Sequence, residues 1–63
     1  MGFRAARVRA GLTMEEAANS FGVSRNMVWL WENGRNKPRS DKLVQIAKTY
    51  GCTTDELLKE EST

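Results

Sequence analysis

Arg25, Asn26, Trp29 and Leu30 lie within six residues and carry the side chains of this chain best suited to recognition chemistry. A guanidinium can donate to O6 and N7 of one guanine, and a carboxamide can pair in the same two-point manner with N6 and N7 of an adenine. Trp29 and Leu30 are apolar on a helix whose buried side is defined by Val28 and Trp31, so both project away from the core. One reading places them against thymine methyl groups or sugars in a DNA groove. The other packs Trp29 against the loop at 35–39 as an outlying core residue. Just downstream, Asn33, Arg35 and Lys37 offer donors and cations for phosphates, which would make binding strongly salt-dependent.

Composition narrows the alternatives. The 63-residue chain has no histidine and one cysteine, Cys52. A disulfide framework and an ordinary zinc site are therefore excluded, and Cys52 is expected to be a small buried apolar residue. Without histidine the commonest general base is missing, and no paired-carboxylate or Ser/Lys constellation replaces it. The expectation is a non-enzyme with no cofactor, no metal and no evident small-molecule ligand. No signal-peptide or membrane-spanning pattern is visible, so a cytoplasmic location is expected. The net charge of +2 is unevenly spread. Residues 1–39 hold seven basic against three acidic side chains, whereas residues 40–63 hold three against five. This polarity suits a chain that turns its N-terminal part toward a polyanion.

Positioning those side chains requires short helices with explicit start and stop signals. The spacing predicts five, at about 3–10, 14–20, 25–33, 41–50 and 54–60, in an all-α single domain over 1–63 with no strand. Gly11 stops the first. Thr13 and Glu16 form a capping box for the second, on which Met14, Ala17, Ala18 and Phe21 follow at helical spacing. Gly22 permits the sharp turn, Val23 inserts into the core, and Ser24 caps the third helix, which Gly34 ends. Pro38 discourages helix immediately before it. Ser40 is expected to cap the fourth helix, with Leu43, Ile46, Ala47 and Tyr50 as its buried stripe. Thr53 and Glu56 form a second capping box for a last helix that buries Leu57 and Leu58.

Several anchors in order resemble the phage repressor and Cro-type (XRE-like) helix-turn-helix family. They are Gly11-Leu12-Thr13, Gly22-Val23-Ser24, Trp31-Glu32-Asn33-Gly34, Pro38, and Ala47…Tyr50-Gly51…Asp55-Glu56-Leu57-Leu58. The resemblance runs from about Phe3 to Leu58. It implies a compact five-helix, lambda-repressor-like bundle in which helix 2 braces the DNA backbone and helix 3 reads the major groove. It also implies sequence-specific double-stranded DNA binding in transcriptional regulation, with repression as the expected output and a homodimer as a possible state. The end of the molecule formed by helices 4 and 5 would then be the dimer surface.

By that resemblance Arg25, Asn26, Trp29 and Leu30 are the base contacts, and Thr13, Met14, Ser24, Asn33, Arg35 and Lys37 the phosphate contacts. Two departures stand out. Relatives more often carry a polar residue at the Leu30 position, and many carry Gln where Met14 stands. A thioether cannot donate a hydrogen bond, so only backbone N–H groups at this helix start remain for a phosphate, and the Met14 side chain belongs to the core or its rim. Arg7 occupies the usual partner position for Glu32, and an Arg7–Glu32 ion pair tying helix 1 to helix 3 is expected. Arg4 and Arg9 receive no assignment. The rival reading is a protein-interaction module that docks a partner through Trp29 and Leu30.

Overall fold

A computed structural model describes residues 2–59, and five helices are present among them. They are α1 (Phe3–Arg9), α2 (Met14–Phe21), α3 (Arg25–Glu32), α4 (Ser40–Tyr50) and α5 (Thr54–Leu58). No strand occurs among the described residues.

Local chemistry sets the boundaries of α2 and α3. The Thr13 hydroxyl accepts from the Glu16 N–H at 3.1 Å, while the Thr13 N–H donates to the Glu16 carboxylate at 2.9 Å. The reciprocal pair satisfies two of the four N–H groups that a helix start leaves without partners. At the other end Gly22 adopts φ +69°, a left-handed conformation that costs a residue with a Cβ about 1–2 kcal/mol. The Val23 N–H then reaches back to the Ala18 carbonyl at 3.0 Å, which fixes the angle at which the chain enters α3. Further C-terminal carbonyls of α2 are satisfied from α4. The Lys42 ammonium donates to Phe21 O at 2.9 Å, and the Gln45 amide donates to Ser20 O at 3.3 Å. A cation at this end of a helix also complements its dipole.

The core collects one face of each helix: Ala6, Ala17, Ala18, Phe21, Val28, Trp31, Ile46, Ala47, Tyr50 and Leu57. Ala17 and Ala18 are small enough to let α2 and α3 pack as the most extensively contacting pair of helices. Phe21 is the hub of an aromatic cluster, 6.1 Å from Trp31 and 5.5 Å edge-on from Tyr50. Met14, Val23, Leu43 and Cys52 pack, partly buried, against this core.

Three expectations need correction. Ser40 does not cap α4 but is its first residue. The chain stays extended through Arg39, which occupies the cap without a side-chain hydrogen bond. Leu58 is 53% exposed, whereas Leu57 is 2% exposed. Consecutive helical residues point about 100° apart, and α5 packs on the core through the Leu57 side alone. Helical boundaries also shift: Ala10 and Asn33 are C-cap residues, Phe21 still belongs to α2, and α5 ends at Leu58. The expected last residue of helix 5, Glu60, lies outside the described residues.

Candidate nucleic-acid interface

The starts of α2 and α3 border one open cleft of about 470 Å³, lined by Met14, Arg25, Asn26 and Trp29. Ser24 initiates α3, its hydroxyl accepting from the Met27 N–H at 3.1 Å. Arg25, Asn26 and Trp29 then follow on the solvent side of the helix, while Val28 and Trp31 occupy its core side. Arg25 and Asn26 are exposed, and no ion pair or side-chain hydrogen bond among the described residues engages either. Their donors are thus available to a ligand without breaking an internal bond.

Trp29 is 43% exposed on this cleft. It does not line the groove formed with the loop at 36–39; Met27 and Trp31 do. The reading of Trp29 as a residue packed on that loop is therefore corrected, since its side chain projects from the opposite flank of α3. Leu30 differs from its neighbour. It is partly buried and does not line the cleft; at the backbone, the chain reverses after α3 and the Arg35 N–H donates to the Leu30 carbonyl at 2.9 Å. Trp29, not the pair, supplies the exposed apolar surface of this face.

The two helix starts at the cleft differ electrostatically. The capping box at α2 places Glu16 on the Thr13 N–H and adds Glu15 in the same turn. Met14 and Glu15 are left as the only N–H donors of that turn without a side-chain partner, beside two carboxylates. The first turn of α3 holds no acidic residue and begins with Arg25. Attraction for an anion is accordingly concentrated at α3. Beyond it, Arg35 and Lys37 are exposed, and no acidic partner among the described residues holds either. Asn33 donates from its amide to the Trp29 carbonyl at 2.9 Å, so its side chain closes the end of α3. Asn36, which sequence reasoning passed over, is a further exposed amide in this loop, and its place between two cations was the signal available.

The face is held in place from behind by Arg7 and Glu32. Arg7 Nε lies 2.6 Å from Glu32 Oε2, and Nη2 lies 3.3 Å from Oε1. Arg7 Nη1 donates to the Leu12 carbonyl at 2.9 Å. The two side chains are only 10% and 3% exposed, so this pair is buried and hydrogen-bonded at both partners. Hydrogen bonding to Glu32 raises the Arg7 guanidinium above its ordinary value. Burial pushes the neighbouring Tyr50 phenol up to about 12, with the Glu32 carboxylate acting in the same direction and Arg7 opposing it. α1 is thereby fastened to the last residue of α3 and to the α1–α2 turn. Among the described residues there is no cluster of three or more His, Cys, Asp or Glu side chains suited to a metal ion. No helix among them is long and apolar enough to cross a membrane.

A helix-turn-helix family model matches residues 3–57. The chain is 35% identical over 57 residues to the cryptic phage CTXphi transcriptional repressor RstR of Vibrio cholerae, covering 90% of this chain and 51% of that protein. It is 38% identical over 55 residues to the HTH-type transcriptional activator BcrR of Enterococcus faecalis, covering 87% and 27% respectively. A third relative is the HTH-type transcriptional regulator ImmR of Bacillus subtilis (strain 168), 32% identical over 56 residues, covering 89% and 44%. The chain thus spans about half or less of the length of these relatives. No solved structure gives a significant match. By the span of the family match and the order of its helices, the chain belongs to the phage-repressor-type (XRE-type) helix-turn-helix family.

Proposed function

We propose that this chain is a sequence-specific double-stranded DNA-binding domain, single over 1–63, that acts in transcriptional regulation without catalysing a reaction. The observation that carries the reading is the exposed face of α3. Among the described residues the side chains of Arg25 and Asn26 have no internal partner beside Trp29, and the cations Arg35 and Lys37 follow in the next loop. In this reading α3 enters the major groove. Arg25 and Asn26 take base edges with Trp29 beside them, and Leu30 stands at the margin. Arg35 and Lys37, with Ser24, Asn33 and the helix start at Thr13 and Met14, hold the phosphate backbone and set register. Repression is the proposed output, because occluding a promoter needs only a bound surface. A cytoplasmic location and a homodimer on an inverted repeat complete the proposal. Exposed Val44 on α4 and Leu58 on α5 support a dimer surface at that end of the molecule.

Selection of bound duplexes from a random-sequence library at near-physiological salt tests the reading. An enriched inverted repeat, with half-sites about 34–36 Å apart, is expected for a dimer on one DNA face. Salt-sensitive background binding with no enriched sequence would overturn it. A second reading, docking of a protein partner, is favoured by one observation alone, the exposed indole of Trp29. A salt-insensitive protein complex that forms without any duplex binding would select that reading instead.

A further inference from the structure

We propose that Met14 and Trp29 form the two walls of a slot for the C5-methyl group of a thymine, next to the base read by Arg25. The inference rests on the DNA-reading function proposed above and gives the Met14 side chain a role of its own, apart from the backbone of that helix start. Four side chains line the cleft between α2 and α3. Two of them, Arg25 and Asn26, are strong polar partners for base edges, and the other two are a thioether and an indole. The Met14 side chain has no hydrogen-bond donor, so any phosphate at this helix start is left to backbone N–H groups and the thioether is free for an apolar contact. Its side chain is anchored against the core on one side and opens to the cleft on the other, which places an apolar surface opposite Trp29.

The occupant follows from groove chemistry. The edges presented in the major groove are donors and acceptors, apart from one apolar projection, the methyl group of thymine. A cleft walled by sulfur and indole, with Arg25 drawing the polyanion in, matches that projection among the base edges of the major groove. A thioether is polarizable and unbranched, so it can close on a methyl group without a demanding geometry.

Replacing thymine by uracil in the selected duplex, one position at a time, removes that methyl and leaves base pairing intact. The wild-type chain should lose roughly fourfold in affinity or more at one position per half-site, the change that corresponds to burying one such carbon. Met14→Gln and Trp29→Ala should bind thymine and uracil duplexes equally while keeping the base preference assigned to Arg25. Met14→Gln is chosen because it preserves chain length and helix propensity, and Trp29→Ala because its side chain contributes little to the core. Circular dichroism melting of each variant establishes that it is folded. Sequence-selective binding that ignores every uracil substitution, or a variant that retains full wild-type uracil sensitivity, overturns the methyl slot alone. Absence of any sequence selectivity in the wild-type chain overturns both the slot and the function on which it rests.

Discussion

Trp29 and Trp31 stand two residues apart on one eight-residue helix and meet opposite fates. Trp31 is 5% exposed and touches Phe21 in the aromatic cluster, whereas Trp29 is 43% exposed and faces an open cleft. Nothing in the residue type separates them. The separation comes from the 100° step of the helix, which puts Val28 and Trp31 on one side and Arg25, Asn26 and Trp29 on the other. The two turns of α3 therefore serve stability on one face and recognition on the other, and changes on the two faces should have different readouts.

The largest contrast is expected between the two tryptophans themselves. Trp31→Ala should cost about 3–5 kcal/mol, a typical penalty for truncating a buried aromatic residue. A domain of this size has roughly 3–9 kcal/mol in total, so that variant should lose about half or more of its stability and melt far below the wild type by circular dichroism. Trp29→Ala should change stability by less than about 0.5 kcal/mol and show its effect in duplex binding instead. Equal melting temperatures for the two variants would dissolve the comparison.

Support for the recognition face from behind is expected to matter almost as much. Glu32→Ala leaves Arg7 charged and buried without its partner, and breaking such a pair costs about 3–5 kcal/mol. Replacing both residues, as in Arg7→Met with Glu32→Leu, should restore much of that loss, because no unpaired charge remains. Denaturant titration of the single and double variants distinguishes this from a simple packing defect.

A smaller effect is expected from alkali. Tyr50 is the only tyrosine in the chain, so its phenolate absorbance is an unambiguous probe. Its folded pKa is raised to about 12, above the unfolded value of about 10. The stabilisation is therefore fully present below pH 10 and is lost as pH climbs toward 12, by an amount on the order of 2 kcal/mol. Stability measured across that window should fall as the phenol ionises. A flat profile would mean that Tyr50 is not held neutral by the core.

The smallest predicted change is in the loop. Arg35→Ala should weaken binding to all duplexes alike and reduce the slope of log affinity against log salt by about 1, without altering sequence preference. A shift in the preferred sequence would mean that Arg35 reads bases and that the division between face and loop is misplaced.

The amino-acid sequence made the scaffold legible where a side chain acts on its own backbone. Thr13 with Glu16, Ser24, and the Gly22 turn are all short-range signals, and helical spacing marked Val28 against Trp31. Burial decided by distant packing was less legible. Leu58 and Leu57 look equivalent in sequence, and only the docking of α5 separates them. Ser40 looks like a cap, but the extended chain through Arg39 makes it the first residue of a helix. Leu30 and Trp29 both lie off the core face by helical periodicity, which does not foretell that only Trp29 is exposed. Arg7 and Glu32 are 25 residues apart and could be paired only through resemblance to a family. The cleft formed by Met14 and Trp29 is likewise invisible until α2 and α3 are set side by side.

Base reading by Arg25 is tested most directly by measuring wild type and Arg25→Ala against the selected duplex and its single-base-pair variants at fixed salt. The variant should lose discrimination at one position, worth about 1–3 kcal/mol, and keep its preferences elsewhere. An Arg25→Ala chain that ranks every duplex as the wild type does would contradict the claim that this face of α3 reads sequence through Arg25.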